Sequence, residues 1–255
     1  MPNFMGAVLT PIIYNVRQSA SNNGGNCTWK FSQIKDPVAS IIGKNNITKD
    51  GICEMLSAKW IECHALDGHL ANWLQGGGGA IDSSKIRHLM QLFIIGSEMN
   101  RGAIVGNAQQ GATVNQTEAT IRWLKAKGIL QRKSIKPMQF MNGPSENIAN
   151  VIGGNRSGSG RSTHLASLGA AIANNLNTNG SYKTIGIWGP GGGHAMAAWV
   201  GHDATFFDPN FGEFWFENKS DFIAWFPKFF SKACYALPKL GLCERFEIMD
   251  FAKGV

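Results

Sequence analysis

No uninterrupted apolar run in these 255 residues is long enough to cross a bilayer. The first sixteen residues, Met1 to Val16, hold no basic stretch followed by a long apolar one, so a cleaved secretory signal is not expected. Position 2 is proline, which excludes myristoylation of a second-position glycine. There is no CxxC pair. The five cysteines, at 27, 53, 63, 234 and 243, are odd in number, which argues against structural zinc and against a complete disulfide framework. A reducing compartment is the simpler expectation. The run Gly76 to Gly79 follows a helical pattern and no Lys-Ser/Thr pair comes after it, so it does not read as a phosphate loop. Lys and Arg are scattered, densest from Lys125 to Lys136, with no base-reading motif, and nucleic-acid binding is not expected. The net charge of +7 suits an anionic membrane surface or simply solubility. No metal or other cofactor is expected.

What the chain does have is apolar material, 44% of its residues, enough for a sizeable core. Its most informative stretch is Asp50-Gly51-Ile52-Cys53-Glu54-Met55-Leu56-Ser57-Ala58-Lys59-Trp60-Ile61. Gly51 permits a turn. From Ile52 the residues Met55, Leu56, Trp60, Cys63, Leu66, Leu70, Trp73 and Leu74 recur near a period of 3.6, which predicts one long helix with a buried face, stopped at Gly76. Cys53 then opens that helix, where unpaired N–H groups and the positive dipole end favour a thiolate, the nucleophilic form. Burial as a small apolar residue is the competing reading.

Residues 1–26 end in the small polar run Ser19 to Asn26 and read as a flexible leader, with a single catalytic domain over 27–255. Further helices are expected after Ile81-Asp-Ser-Ser84, over Asn115 to Lys127 with Gly128 beyond its end, and over Leu165 to Leu176. Gly143-Pro144 marks a turn, and the Gly/Ser-rich stretch from Ile152 to Ser162 is a candidate active-site loop. After Gly180 the pattern changes to short aromatic and apolar segments between turns: Tyr182 to Trp188, Ala195 to Gly201, Ala204 to Phe207 and Glu213 to Phe216. These read as antiparallel strands, followed by a helix over Asp221 to Phe230 and a last strand over Arg245 to Met249. Helices first and a meander of strands after predict an α+β protein.

A nucleophilic cysteine needs a base, and the base needs an orienting group. Of six histidines, His64 and His69 fall too far along the cysteine helix to reach Cys53. His88 sits mid-helix, His164 precedes a helix, and His202 sits in a turn. His194 opens a strand after Gly189-Pro-Gly-Gly-Gly193, where small neighbours leave room for a substrate and for the helix. If the strand from His194 and the strand into Asp208 form a hairpin about Gly201 to Asp203, the two residues lie at the same end. An acid there fixes the imidazole tautomer. An oxyanion would be met by the Cys53 N–H and by a side-chain amide upstream, Asn45 or Asn46.

Gly51-Ile52-Cys53-x-x-Leu56-Ser57-x-x-Trp60-Ile61, Gly193-His194-Ala195-Met196 and Phe207-Asp208-Pro209-Asn210-x-Gly212 together resemble the YopT/AvrPphB family of papain-like cysteine proteases, used by bacteria as effectors in host cells. His194 follows Cys53 by 141 positions (194 − 53), within the papain-type spacing of about 130–150. The resemblance implies a papain-like fold, with a helical part carrying the cysteine against an antiparallel sheet carrying His and Asp. It also implies Cys53 as nucleophile, His194 as base and then acid, and Asp208 as its orienter. Family members cut prenylated Rho-family GTPases or host kinases, so the expected partner is a host protein, with membrane-surface association as a further expectation. The expected setting is secretion by a bacterium without a cleaved signal peptide, the leader serving as secretion signal, and action in the host cytoplasm or at a membrane surface. The same triad would equally serve a glutamine deamidase or transglutaminase toxin, the alternative reading.

Overall fold

The computed structural model describes residues 2–76, 78–98, 108–135, 168–174, 180–189, 191–237, 241–242 and 245–254. The Gly143-Pro144 turn, the loop of 152–162 and His164 lie outside the described residues. Helix α1 (Pro2–Ser21) leads into β1 (Gly25–Trp29). Next come α2 (Val38–Ile42), α3 (Cys53–Ala65), α4 (Leu70–Gln75), α5 (Ser83–Glu98) and α6 (Ala108–Ala126). Strands β2 (Ile129–Ile135), β3 (Ser181–Gly189), β4 (Gly192–Val200), β5 (Ala204–Asp208) and β6 (Gly212–Phe216) follow. Helix α7 (Lys219–Lys232) and strand β7 (Arg245–Lys253) close the order.

The seven strands form one sheet in the order β1-β6-β5-β4-β3-β7-β2, every pair antiparallel. The chain is thus α+β, with a helical part that carries the cysteine packed on an antiparallel sheet. Helices cover both faces of it. Met196, Ala198, Val200 and Phe206 face a core built with α1, α7 and the short helical stretch 168–173; it is dominated by aromatic rings of Phe214, Phe222, Trp225, Phe226 and Phe229. Ala197, Phe207, Tyr182 and Phe251 alternate with them toward the other core, which takes in α2, α3 and α5. Alternating strand positions therefore feed two cores, which is why the strands are apolar almost throughout.

The cysteine helix is shorter than its apolar period suggests. It ends at Ala65, Gly68 N–H bonds back to the Cys63 carbonyl at 2.8 Å, and Asp67 turns into the left-handed region at φ 56°. His69 starts α4, its Nδ1 accepting from Ala71 N–H at 3.0 Å. The stripe continues across this break because α4 packs back on the same core as α3. α3 is also buried on nearly all sides, from Met55 to Cys63, a central helix and not an amphipathic one.

Residues 1–26, expected to be a flexible leader, contain α1 and the first residues of a sheet-edge strand. Ile13, Val16 and Ala20 are in the core. Arg17 donates from Nε to the Phe211 carbonyl at 2.8 Å and from its guanidinium Nη2 to the Phe31 carbonyl at 2.7 Å. Residue 27, the expected domain boundary, lies inside β1. The small polar run that suggested flexibility is the turn joining helix and strand. Strands β1 and β2 were not expected. Both are outermost in the sheet, and an edge strand carries only half the apolar pattern of a central one; β2, Ile-Leu-Gln-Arg-Lys-Ser-Ile, shows the polar composition typical of edges.

Candidate active site

Cys53 is the first residue of α3 and is half-buried. The first bond of that helix runs from Leu56 N–H to the Ile52 carbonyl at 3.0 Å, so the N–H groups of Cys53, Glu54 and Met55 precede the helical ladder. No side chain caps this end.

The β4–β5 hairpin forms as expected, closed by Gly201 N–H to the Asp203 carbonyl at 3.0 Å, with Val200 opposite Ala204 and Ala197 opposite Phe207. One step further along that register, Asp208 stands beside Met196, two residues from His194 on the same face. Strand pairing on that side of β4 stops at Ala197, so the half of β4 that bears His194 has no β5 neighbour. There His194 Nε2 meets Asp208 Oδ1 at 3.0 Å, both side chains almost wholly buried. Nδ1 is the ring nitrogen that Asp208 leaves unengaged. Burial pulls the imidazole pKa down, but the Asp208 carboxylate first and then the nearby Cys53 raise it to about 10. His194 thus stands against Asp208 and within electrostatic reach of Cys53.

The space expected beside Gly193 is filled from within the protein. A Cβ there would lie 2.7 Å from the Trp188 indole, which also covers Gly186. The glycines admit a tryptophan from β3.

Among the described interactions neither asparagine is hydrogen-bonded to Cys53. Asn45 Oδ1 accepts from Ile47 N–H at 2.8 Å, a local turn bond, and Asn46 is exposed. The side-chain amide that touches the cysteine loop is that of Gln33, which is 2% exposed. Its Oε1 accepts from Ile52 N–H at 3.1 Å, its Nε2 donates to Asn210 Oδ1 at 2.9 Å, and its backbone N–H bonds the Pro209 carbonyl at 2.7 Å. Gln33 lies in an irregular segment twenty residues before Cys53 (53 − 33), where no local pattern marks it.

Three further residues escaped sequence reading. Glu54, next to Cys53, accepts from Thr120 Oγ1 at 2.7 Å, and burial raises its pKa. Glu247 on β7 is raised to about 7 by burial and by the charge of Glu54. Tyr235, just past α7, donates to Asp208 Oδ2 at 3.0 Å. His64 packs among Trp60, Tyr182 and Trp199, and His69 pairs with Glu213 at 3.2 Å. His88 on α5 packs against Trp123 of α6, and His202 is solvent-facing. None of these four is hydrogen-bonded to Cys53 among the described interactions. Among the described residues no group of three or more His, Cys, Asp or Glu is arranged to hold a metal ion.

The Peptidase_C58 family model, described as Yersinia/Haemophilus virulence surface antigen, matches residues 17–253. The chain is 33% identical over 254 residues to the cysteine protease YopT of Yersinia pestis, covering 96% of this chain and 70% of that protein. It is 29% identical over 243 residues to the protein adenylyltransferase and cysteine protease IbpA of Histophilus somni, covering 94% of this chain and 5% of that one. Among solved structures, the Pseudomonas avirulence protein AvrPphB aligns with TM-score 0.45 and 14% identity over 82% of this chain and 95% of its own. The YopT domain of the Pasteurella multocida PfhB2 toxin aligns with TM-score 0.28 and 24% identity over 88% and 92%.

Proposed function

The chain belongs to the Peptidase_C58 family and is a cysteine protease of that virulence family; on that premise we propose that it is an endopeptidase acting on a host protein through Cys53, His194 and Asp208. The observation that carries the reading is the buried hydrogen bond of His194 to Asp208, with its other ring nitrogen left for Cys53. His194 holds the proton of the thiol, and the thiolate attacks the scissile carbonyl. The developing oxyanion takes the Cys53 N–H at the open start of α3, with the helix dipole behind it. The imidazolium then protonates the departing amine, leaving an acyl-enzyme thioester. Neutral His194 next takes a proton from water, whose attack releases the acid and restores the thiolate beside protonated His194. Asp208 keeps Nε2 protonated throughout, so that Nδ1 is the nitrogen that exchanges the proton.

The substrate we propose is a membrane-associated Rho-family GTPase or a host kinase, met after secretion from a bacterium without a cleaved signal peptide. The charge of +7 is consistent with work at an anionic surface. The test is intact-mass spectrometry of a panel of host proteins, prenylated Rho GTPases included, after incubation with the wild type and with Cys53→Ala. Fragments with the wild type alone are expected. Substrates left whole but carrying a glutamine deamidation or amine adduct would overturn the endopeptidase reading.

A further inference from the structure

A directed chain of hydrogen bonds starts at the residue before the cysteine and ends on the far oxygen of Asp208. Ile52 N–H can only donate, so the Gln33 atom facing it is Oε1. The other end of Gln33 is then Nε2, a donor, and the Asn210 atom it meets is Oδ1. Asn210 must therefore present Nδ2 to the Tyr235 hydroxyl, at 3.1 Å. A hydroxyl that accepts there has its proton free to donate, and Asp208 Oδ2 stands 3.0 Å away. Each link dictates the next, and the backbone amide at the start fixes the polarity of the whole.

Asp208 needs this donor. Its Oδ1 is taken by Asn210 N–H at 2.7 Å and by His194. Its Oδ2 receives Tyr235, and the residue is fully buried. A carboxylate oxygen in a dry site without a donor is costly. Tyr235 is itself delivered with care. It follows a helix end in which Cys234 N–H bonds the Ser231 carbonyl and Tyr235 N–H bonds the Phe230 carbonyl, each at 3.1 Å, a paired closure that usually places glycine at the turning residue. Here that residue is Cys234, at φ 63°, a conformation unfavourable for a side chain. The ring is clamped by Phe211, Phe229 and Phe230 and lies 5.3 Å, centroid to centroid, from His194. Burial and the Asp208 charge push the phenol pKa well above its ordinary value, so the proton stays on the hydroxyl.

We propose that Tyr235 is a positioning residue of the triad: its hydroxyl, set by Asn210 and Gln33, holds the Asp208 carboxylate turned toward His194. Through the same chain the Asp208 turn is tied to the backbone that carries Cys53, so nucleophile and orienting carboxylate stay in register across the cleft. The proposal rests on the triad reading above.

The test uses the full chain and iodoacetamide, which alkylates Cys53 without a known substrate. The rate is followed against pH for wild type, Tyr235→Phe, Asn210→Ala and Asp208→Asn, with circular dichroism confirming the fold. In Tyr235→Phe the bare Oδ2 is relieved by rotation of the carboxylate, which weakens the hold on His194 and on the thiolate it faces. The acid limb of alkylation should rise by about one unit, the scale of one charge-assisted hydrogen bond. Asn210→Ala keeps the Tyr235 ring in the core and should move the same limb by less. A rate lowered equally at every pH in Tyr235→Phe, or an acid limb unmoved in both variants while Asp208→Asn moves it, would overturn the proposal and leave the triad standing. An unchanged acid limb in Asp208→Asn would overturn the triad reading and this proposal together.

Discussion

Replacing Asp208 by asparagine removes a charge while leaving the shape of the site. Asn210 N–H at 2.7 Å and His194 Nε2 at 3.0 Å both call for an oxygen at the position of Oδ1, so the new amide is held with its oxygen there. Its NH₂ then faces Tyr235 in place of Oδ2, and the tyrosine proton loses its acceptor. His194 is raised to about 10 against the pull of burial, with Asp208 the largest of the raising influences. An adjacent opposite charge is worth about one to three pKa units. Asp208→Asn should therefore bring His194 down to roughly 7–9, so that the imidazolium is partly lost at neutral to mildly alkaline pH. The assay is the ring C–H resonance of His194, assigned by its absence in His194→Gln and followed against pH in the full chain. Proteolysis should fall by roughly 10²–10⁴-fold, the usual worth of a positioned general acid and base. A His194 titration unmoved by the substitution, in a protein of unchanged circular dichroism, would refute the electrostatic coupling on which the reasoning depends.

Glu213, buried between α3 and the sheet, accepts from Trp60 Nε1 and Thr28 Oγ1 at 2.7 Å each and from His69 at 3.2 Å. Burial raises its pKa, but those bonds outweigh it and hold the carboxyl below its usual range. A depressed carboxyl contributes stability above its unfolded pKa of about 4.3 and loses it as pH falls through the lower folded value. Glu213→Gln should cost about 2–3 kcal/mol near neutral pH, the range for hydrogen bonds to a charged group, and flatten the acid limb of stability, as urea midpoints from pH 3 to 7 would read. Arg17→Ala removes both bonds that tie α1 to Phe31 and to Phe211, beside the Asp208 turn. It should cost about 2 kcal/mol and lower the rate of Cys53 alkylation; an unchanged urea midpoint would mean that the two Arg17 bonds do not hold α1 in place.

The proposed triad was legible in the sequence because each member sits on a local pattern. A helical apolar period starts at Ile52, and a glycine run precedes His194. A tight turn at Gly201 to Asp203 separates two alternating segments, and a turn motif follows Asp208. Such patterns depend on neighbours within a few residues, and they also determined the order of helices and strands and hence the α+β class. The helix break at Asp67 was hidden because α3 and α4 bury the same face, so the apolar period runs on across it. Helix α1 and strands β1 and β2 were hidden for the complementary reason, since elements at an edge or a terminus carry weak patterns and owe their place to what they pack on.

The partners of the site were beyond local reading altogether. Asn45, near in sequence, is engaged in a local turn and Asn46 is exposed, whereas Gln33, Asn210 and Tyr235 come from three distant segments and make one chain of hydrogen bonds. A buried amide or hydroxyl is placed by the demand that every polar group in a dry interior find a partner, and that demand is met in space without regard to sequence separation. By itself the sequence singled out Cys53, His194 and Asp208 for the proposed triad, together with the elements that bear them. Only the tertiary structure decided which buried polar groups hold those three in register, because satisfaction of hydrogen bonds is a property of the packed interior and not of any stretch of chain.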